Sequence, residues 1–263
     1  MKAVILAAGQ GTRLKRYTEN LPKGMLSFLG KTLIERQIEL YRACGINDII
    51  IVCGYAKDKI SYKGVKYYTN EEYKDTNMVV SLLAAKEEFD DDIIISYSDI
   101  LFQKSMLEEM MRRKEDFSVA VDKEWKDYWN LRYGTIYFDT ESLKIDQNDQ
   151  IISLGASDPP MEEIDARYIG LLKFSKKGLL DIIKLWDKNY ELYLDRPWQQ
   201  SGKTIKKAYM TDLLNALIAD GKEIQAVKFV NGWIEFDTNE DYEKACEWAE
   251  NGMINKILKF IKH

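Results

Sequence analysis

Residues Met1 to Ser27 read MKAVILAAGQGTRLKRYTENLPKGMLS. The apolar run Ala3-Val4-Ile5-Leu6 is short and unbroken, the pattern of a buried strand. It leads into Ala7-Ala8-Gly9-Gln10-Gly11-Thr12-Arg13, a loop of small residues ending in a cation. Small side chains let backbone come close to a ligand, and glycine reaches conformations closed to other residues. Successive bare N–H groups form an anion-binding concavity. Arg13 adds a forked charge suited to phosphate oxygens, and Lys23 adds a second cation on a segment stiffened by Pro22. The stretch is read as a strand followed by a loop that cradles a triphosphate.

Two rival phosphate motifs fail on detail. A dinucleotide fingerprint needs G-x-G-x-x-G, and Leu14 stands where its third glycine belongs. A P-loop needs G-x-x-x-x-G-K-[ST]. Gly202-Lys203-Thr204 supplies its end, but Pro197 stands at its first glycine, so that segment is read as a surface turn.

The chain has 263 residues and a hydrophobic fraction of 46%, suited to one large α/β domain over residues 1–263. A net charge of -5 argues against a nucleic-acid partner. No apolar run is long enough for a bilayer, and no signal peptide is visible. Cys44, Cys53 and Cys246 are odd in number and widely spaced, which suits a reducing cytoplasm better than a disulfide framework. The single histidine is the last residue, His263. That argues against a Ser-His-Asp triad, an H-E-x-x-H zinc site and any histidine base. Carboxylates, lysines, arginines and hydroxyls remain, an inventory that fits phosphoryl-type transfer with a hard metal ion.

Strands are expected at Ile46 to Val52, closed by Gly54-Tyr55, at Val65 to Tyr68, at Ile93 to Tyr97, at Phe117 to Val121, at Arg167 to Phe174 and at Ile224 to Val230. Helices are expected at Leu33 to Cys44, Thr76 to Phe89, Lys104 to Lys114, Gly178 to Tyr190 and Ile205 to Ala219, and another from Thr238 or Asn239. Asp122 to Tyr133 packs aromatics among charges and reads as neither helix nor strand; on a helix Trp125 and Trp129 would share a face. Thr135 to Asp139 and Ile151 to Ala156 are expected to pair as a hairpin. This central part reads as a substrate-binding insertion. Ser98-Asp99 ends an apolar strand, at the edge where open α/β sheets bind ligands. An aspartate there is a candidate metal ligand. Gly232 to Asp237 alternates, with Trp233, Glu235 and Asp237 on one side.

Leu6 to Leu14 with Pro22-Lys23 resembles the L-A-A-G-x-G-T-R-L and P-K signature of the nucleotidyltransferase family that includes sugar-1-phosphate nucleotidyltransferases and phosphocholine cytidylyltransferases. Trp233 to Asp241 resembles the W-x-E-x-D-T-x-E-D segment of the phosphocholine-type branch. Tyr168-Ile169-Gly170-Leu171, Lys173-Phe174-Ser175 and Thr211-Asp212-Leu213-Leu214 are also similar to it. The central E-K-P segment of sugar-nucleotide members is absent. The resemblance implies a Rossmann-like open mixed sheet, mostly parallel and flanked by helices. It also implies CMP transfer from CTP to a small phosphorylated or phosphonate acceptor, with release of pyrophosphate. A sugar-1-phosphate nucleotidyltransferase using UTP or dTTP, and a non-catalytic nucleotide-binding relative, are the alternatives.

The same resemblance implies roles residue by residue. Leu6 to Arg13, Lys23, Gly54, Asn77, Met78, Ser81 and Ser98 would bind the nucleotide, the Asn77 segment lying beside the base. Asp99 and Asp237 would hold Mg²⁺, Arg13 would steady the pyrophosphate, and Lys23 would neutralise charge between the phosphates. From their own chemistry, Trp125, Trp129, Arg132, Tyr168 and Glu235 form the acceptor set, with rings for an ammonium group and the Arg132 fork for the acceptor phosphate; the alternative is that the aromatics pack the insertion onto the sheet. A homo-oligomer is left open.

Overall fold

The computed structural model describes residues 1–258; His263 lies outside them. Across its main sheet the strands run Gln225–Phe229, Phe117–Asp122, Arg167–Phe174, Ile93–Tyr97, Lys2–Ala7, Ile49–Cys53 and Lys66–Thr69. Every neighbouring pair is parallel except the two made by Arg167–Phe174, which runs against both partners. The sheet is thus mixed and mostly parallel, as the sequence implies. Its antiparallel strand has a consequence: the N-terminal residues Arg167 and Tyr168 emerge at the edge where the parallel strands end, Arg167 opposite Asp122.

The Lys2–Ala7 strand is buried along its whole length because the pleat sends alternate side chains to two cores. Ala3, Ile5 and Ala7 pack on the side covered by helices Leu33–Ala43, Lys104–Arg112 and Trp125–Tyr133. Val4 and Leu6 pack on the side of helices Met78–Ala84, Lys176–Asn189 and Met210–Ala219. A continuous apolar run is what such a two-sided position requires.

Several expected boundaries are corrected. Asp122 to Tyr133 contains a true helix, Trp125–Tyr133: Trp125, Tyr128, Trp129 and Arg132 all point inward, and Gly134 at φ +72° ends it. The hairpin's first strand is Glu141–Ile145, not Thr135 to Asp139, and it pairs with Ile151–Ser157. Asp146 fixes that register, its Oδ1 accepting from the Asn148 and Gln150 amides at 2.8 Å each. The expected helix from Ile205 is a short 3-10 turn, Ile205–Lys207, followed by helix Met210–Ala219. Asp212 accepts from the Tyr209 amide at 2.9 Å and restarts the chain there. The helix expected from Thr76 starts at Met78, with the Asn77 side chain accepting from the Met78 amide, and gives way after Ala84 to the 3-10 turn Lys86–Glu88. The turn expected at Gly202-Lys203-Thr204 lies earlier, from Gln199 to Gly202, closed by the Gly202 amide donating to Gln199 O at 3.1 Å.

Candidate active site

The site grows from the end of the Lys2–Ala7 strand. The Ser98 amide donates to Leu6 O at 3.1 Å, and the Tyr55 amide to Ala8 O at 3.0 Å. The glycine loop is held between them. Gly11 sits at φ +65°, and a Cβ there would stand 3.1 Å from Lys23 Cγ. The loop therefore lies directly on the Lys23 stem, as only glycine allows.

A cleft of about 680 Å³ opens over this loop. Leu6, Ala8, Gly9 and Gly11 form one wall, Asn77, Met78 and Ser81 another, with Lys23, Ser98 and Asp99 between. Asn70 orders the second wall by donating to Thr76 Oγ1 at 2.9 Å and Ser81 Oγ at 3.0 Å. Tyr73 and Tyr97 also line the cleft. Sequence reasoning missed both; the signal available was that Tyr97 immediately precedes Ser98-Asp99 at the end of a buried strand. Five residues expected to touch nucleotide do not line this cleft: Thr12 and Arg13 line a neighbouring one, and three stand elsewhere. Ala7 is buried and Gln10 is exposed. Gly54 lies behind the loop: a Cβ there would meet Ala8 O at 2.7 Å and Tyr73 Cβ at 2.8 Å.

Asp99 and Asp237 come together through a second short pairing. Strand Trp233–Glu235 runs antiparallel to Ile100–Phe102, with Glu235 opposite Ile100. The Phe236 amide then donates to Asp99 O at 2.9 Å, which sets Asp237 beside Asp99. Lys23 Nζ lies between them, 2.6 Å from Asp99 Oδ2 and paired also with Asp237 Oδ1. Arg13 pairs with the other oxygen of Asp237 and stands 3.6 Å from Asp139. Burial disfavours charge on Asp237, but Lys23 and Arg13 outweigh it and hold the carboxyl below its ordinary range. Burial likewise opposes charge on Lys23, and Asp99 and Asp237 keep it firmly protonated.

The acceptor set divides. Trp125 and Trp129 are fully buried, with ring centroids 5.8 Å apart, and belong to the core. Arg132 is 1% exposed, and its fork is occupied: Nε and Nη2 each donate to Asp241 at 2.6 Å, and Nη1 pairs with Glu235. The expectation that Arg132 grips an acceptor phosphate is corrected on that ground. It is a positioning residue, because Asp241 accepts from the Asp237 amide at 3.0 Å and caps the next helix with Thr238. Tyr168 and Glu235 do line a second cleft of about 1390 Å³, which adjoins the first and shares Lys23, Met78, Tyr97 and Asp99 with it. The Tyr168 and Tyr97 hydroxyls are 3.1 Å apart. Burial raises the Glu235 carboxyl above its usual range, against the pull of Arg132. Arg167, Glu141 and Asp139 line this cleft and were not singled out from sequence; an arginine opening the otherwise apolar Tyr168–Leu172 run was the available clue.

A hard divalent cation fits the donor set at the junction. Two carboxylates already converge on one positive charge there, and Mg²⁺ commonly takes one or two carboxylates plus substrate phosphates. Among the described residues no cluster of three or more acidic, cysteine or histidine side chains forms a metal site, so further oxygens would come from the substrates. Among them, too, no helix is long and apolar enough to cross a membrane.

Residues 3–149 match the MobA-like NTP transferase domain. The chain is 36% identical over 258 residues to the CTP:phosphoglutamine cytidylyltransferase of Campylobacter jejuni, covering 94% of this chain and 100% of that one. It is 33% identical over 259 residues to a choline-phosphate cytidylyltransferase of Streptococcus pneumoniae, covering 95% and 99%. The solved structure of a CTP:phosphocholine cytidylyltransferase from Streptococcus pneumoniae superposes with a TM-score of 0.74 at 26% identity, over 94% of this chain and 98% of that one. Glycine loop, paired aspartates and full-length similarity agree, and the chain belongs to the MobA-like NTP transferase family.

Proposed function

We propose that this protein transfers CMP from CTP to a small phosphorylated amino compound and releases pyrophosphate. The observation that carries the reading is the junction of the two clefts. Asp99 and Asp237, from elements distant in sequence, meet on one ammonium where the glycine-loop cleft opens into the acceptor cleft. The reaction needs such a point: an acceptor phosphate oxygen attacks the α-phosphorus of CTP, and the bond to the β-phosphate breaks. Lys23 neutralises charge between the two anions, which otherwise repel. Arg13, on a mostly exposed stem, reaches the same point and steadies the leaving pyrophosphate. Asn77, Met78 and Ser81 face the base. Asp99 and Asp237 would hold Mg²⁺, which would supply Lewis-acid neutralisation of the phosphate oxygens.

The relatives matched over their full length act, by name, on phosphoglutamine and phosphocholine with CTP, which supports this nucleotide and this acceptor class. The test incubates the protein and Mg²⁺ with CTP, UTP, dTTP or ATP and a panel of acceptors, and measures pyrophosphate. Release confined to CTP with phosphorylated amino compounds is expected. Release with UTP or dTTP and glucose-1-phosphate alone would establish the sugar reaction instead, and tight CTP binding without release would mark a sensor.

A further inference from the structure

We propose that Arg167 is an anion receptor in the acceptor cleft, and that it receives a carboxylate carried by the acceptor besides its reacting phosphate. This rests on the acceptor reading above and narrows it from phosphorylated amino compounds to phosphorylated amino acids.

Arg167 is 8% exposed, yet its Nη1 is buried with no hydrogen-bond partner among the described residues. Its guanidinium carbon lies 4.4 Å from the centroid of the Trp129 ring, so the ring's face holds the cation and leaves the Nη1 donor for something else. The other guanidinium near that ring, Arg132 at 5.2 Å, is saturated by Asp241 and Glu235. One arginine therefore serves the framework, and the other lines the cleft with unused donors. Buried donors in native proteins are ordinarily paired, and a planar fork in a cleft is matched by a carboxylate or phosphate.

Location separates these two anions. The reacting phosphate must lie at Lys23, Asp99 and Asp237. There Lys23 pairs with Asp99 and Asp237, and Arg13 with Asp237, whereas among the described residues Arg167 pairs with neither carboxylate and stands over the Trp129 ring beside Arg132. Arg167 also enters from the antiparallel strand, opposite Asp122. Its anion is thus a second one. Glu141 lines the same cleft and offers a carboxylate to an amino group. A zwitterionic tail, one carboxylate and one ammonium, satisfies both charges of the wall.

The test compares acceptors that differ only by a carboxylate: O-phosphoserine against phosphoethanolamine, and phosphoglutamine against its decarboxylated analogue. With CTP and Mg²⁺, the wild type is expected to favour the carboxylated member of a pair by at least about tenfold in kcat/KM, mostly through KM. Arg167→Met is expected to erase that preference, the carboxylated member losing at least about tenfold more than its partner, with the Kd for CTP unchanged; Arg167→Lys should recover part of it. Equal use of both members by the wild type, or turnover of phosphocholine with no carboxylated acceptor, would overturn the proposal without any variant. A loss in Arg167→Met that is equal for both members would place Arg167 on the reacting phosphate or in the framework, and would also overturn it. Absence of CTP-dependent pyrophosphate release with every acceptor is a different result, and it would overturn the cytidylyltransferase reading itself.

Discussion

At the scale of single residues, charge partners decide which side chains do chemistry. Asp99 and Asp237 have a common partner in Lys23 and open cleft beside it. Asp99→Asn and Asp237→Asn keep shape and remove charge. Each is expected to lower turnover by at least about 10²–10³-fold with circular dichroism unchanged; near wild-type turnover in saturating Mg²⁺ would remove that residue from the reacting centre. Arg132 is the opposite case. Its partner Asp241 is enclosed, so truncation strands a buried carboxylate. Arg132→Leu is expected to cost about 3–5 kcal/mol of stability, read as a lowered urea midpoint. Turnover should fall for all acceptors alike, since Asp241 also holds the Asp237 amide. An unchanged midpoint would show that the pair is not structural. The glycine loop, Lys23 and Asp99 were legible because each carries its meaning locally, as backbone freedom, charge or a strand end. Arg132 was misread because its partner lies 109 residues away, and an arginine among aromatics looks the same whether its fork is free or filled.

At the scale of elements, short pieces of backbone do the aiming. The Trp233–Glu235 and Ile100–Phe102 pair is only three residues long on each side, yet it sets the second aspartate beside the first. The sequence showed the alternation of Trp233, Glu235 and Asp237 but not the partner strand, because three residues after Asp99 carry no pattern that separates a strand from a loop. The Trp125–Tyr133 helix was hidden for a related reason. Its inward face holds Arg132, and its outer face mixes Leu131 with charges, so apolar spacing alone gave no clear period. Lys23 is aimed by the 3-10 turn Lys23–Met25. Gly24 lets this turn pass between a helix and the strand end: a Cβ would stand 2.6 Å from Ile34 Cγ1 and 2.7 Å from Ser98 Cβ. Gly24→Ala must therefore push apart the elements that carry Lys23 and Asp99. It is expected to cost about 1–3 kcal/mol in stability and to lower kcat more than it raises the KM for CTP. A variant with wild-type kcat would show that the turn can shift without moving the ammonium.

At the scale of the whole molecule, the acidic chain hides many of its carboxylates beside cations, and this gives stability a direction in pH. Burial opposes ionisation of Glu88, Asp116 and Asp237, but Lys2 and Lys66 at the first, Lys177 at the second and Lys23 at the third overcome it and leave each below its ordinary range. A carboxyl depressed in the folded state contributes stability above its unfolded value of about 4 and loses it as pH falls through the folded value. Asp122 and Glu235 are raised by burial and act with the opposite sign, giving up stability as pH rises through the range between their unfolded and folded values. At the alkaline end, burial raises the phenols of Tyr41, Tyr97, Tyr128 and Tyr168. In the unfolded chain they ionise near pH 10, in the fold they do not, so stability falls above about pH 10. The urea midpoint is thus expected to rise between about pH 3 and 5, to change little through neutrality, and to fall again above about pH 10. Glu235→Gln removes one of the two opposing groups. It is expected to raise the midpoint near pH 7 and to leave it unchanged near pH 3, where the wild-type carboxyl is already neutral. A Gln variant less stable than wild type at pH 7 would mean that the Glu235 charge is held by Arg132 more strongly than burial resists it.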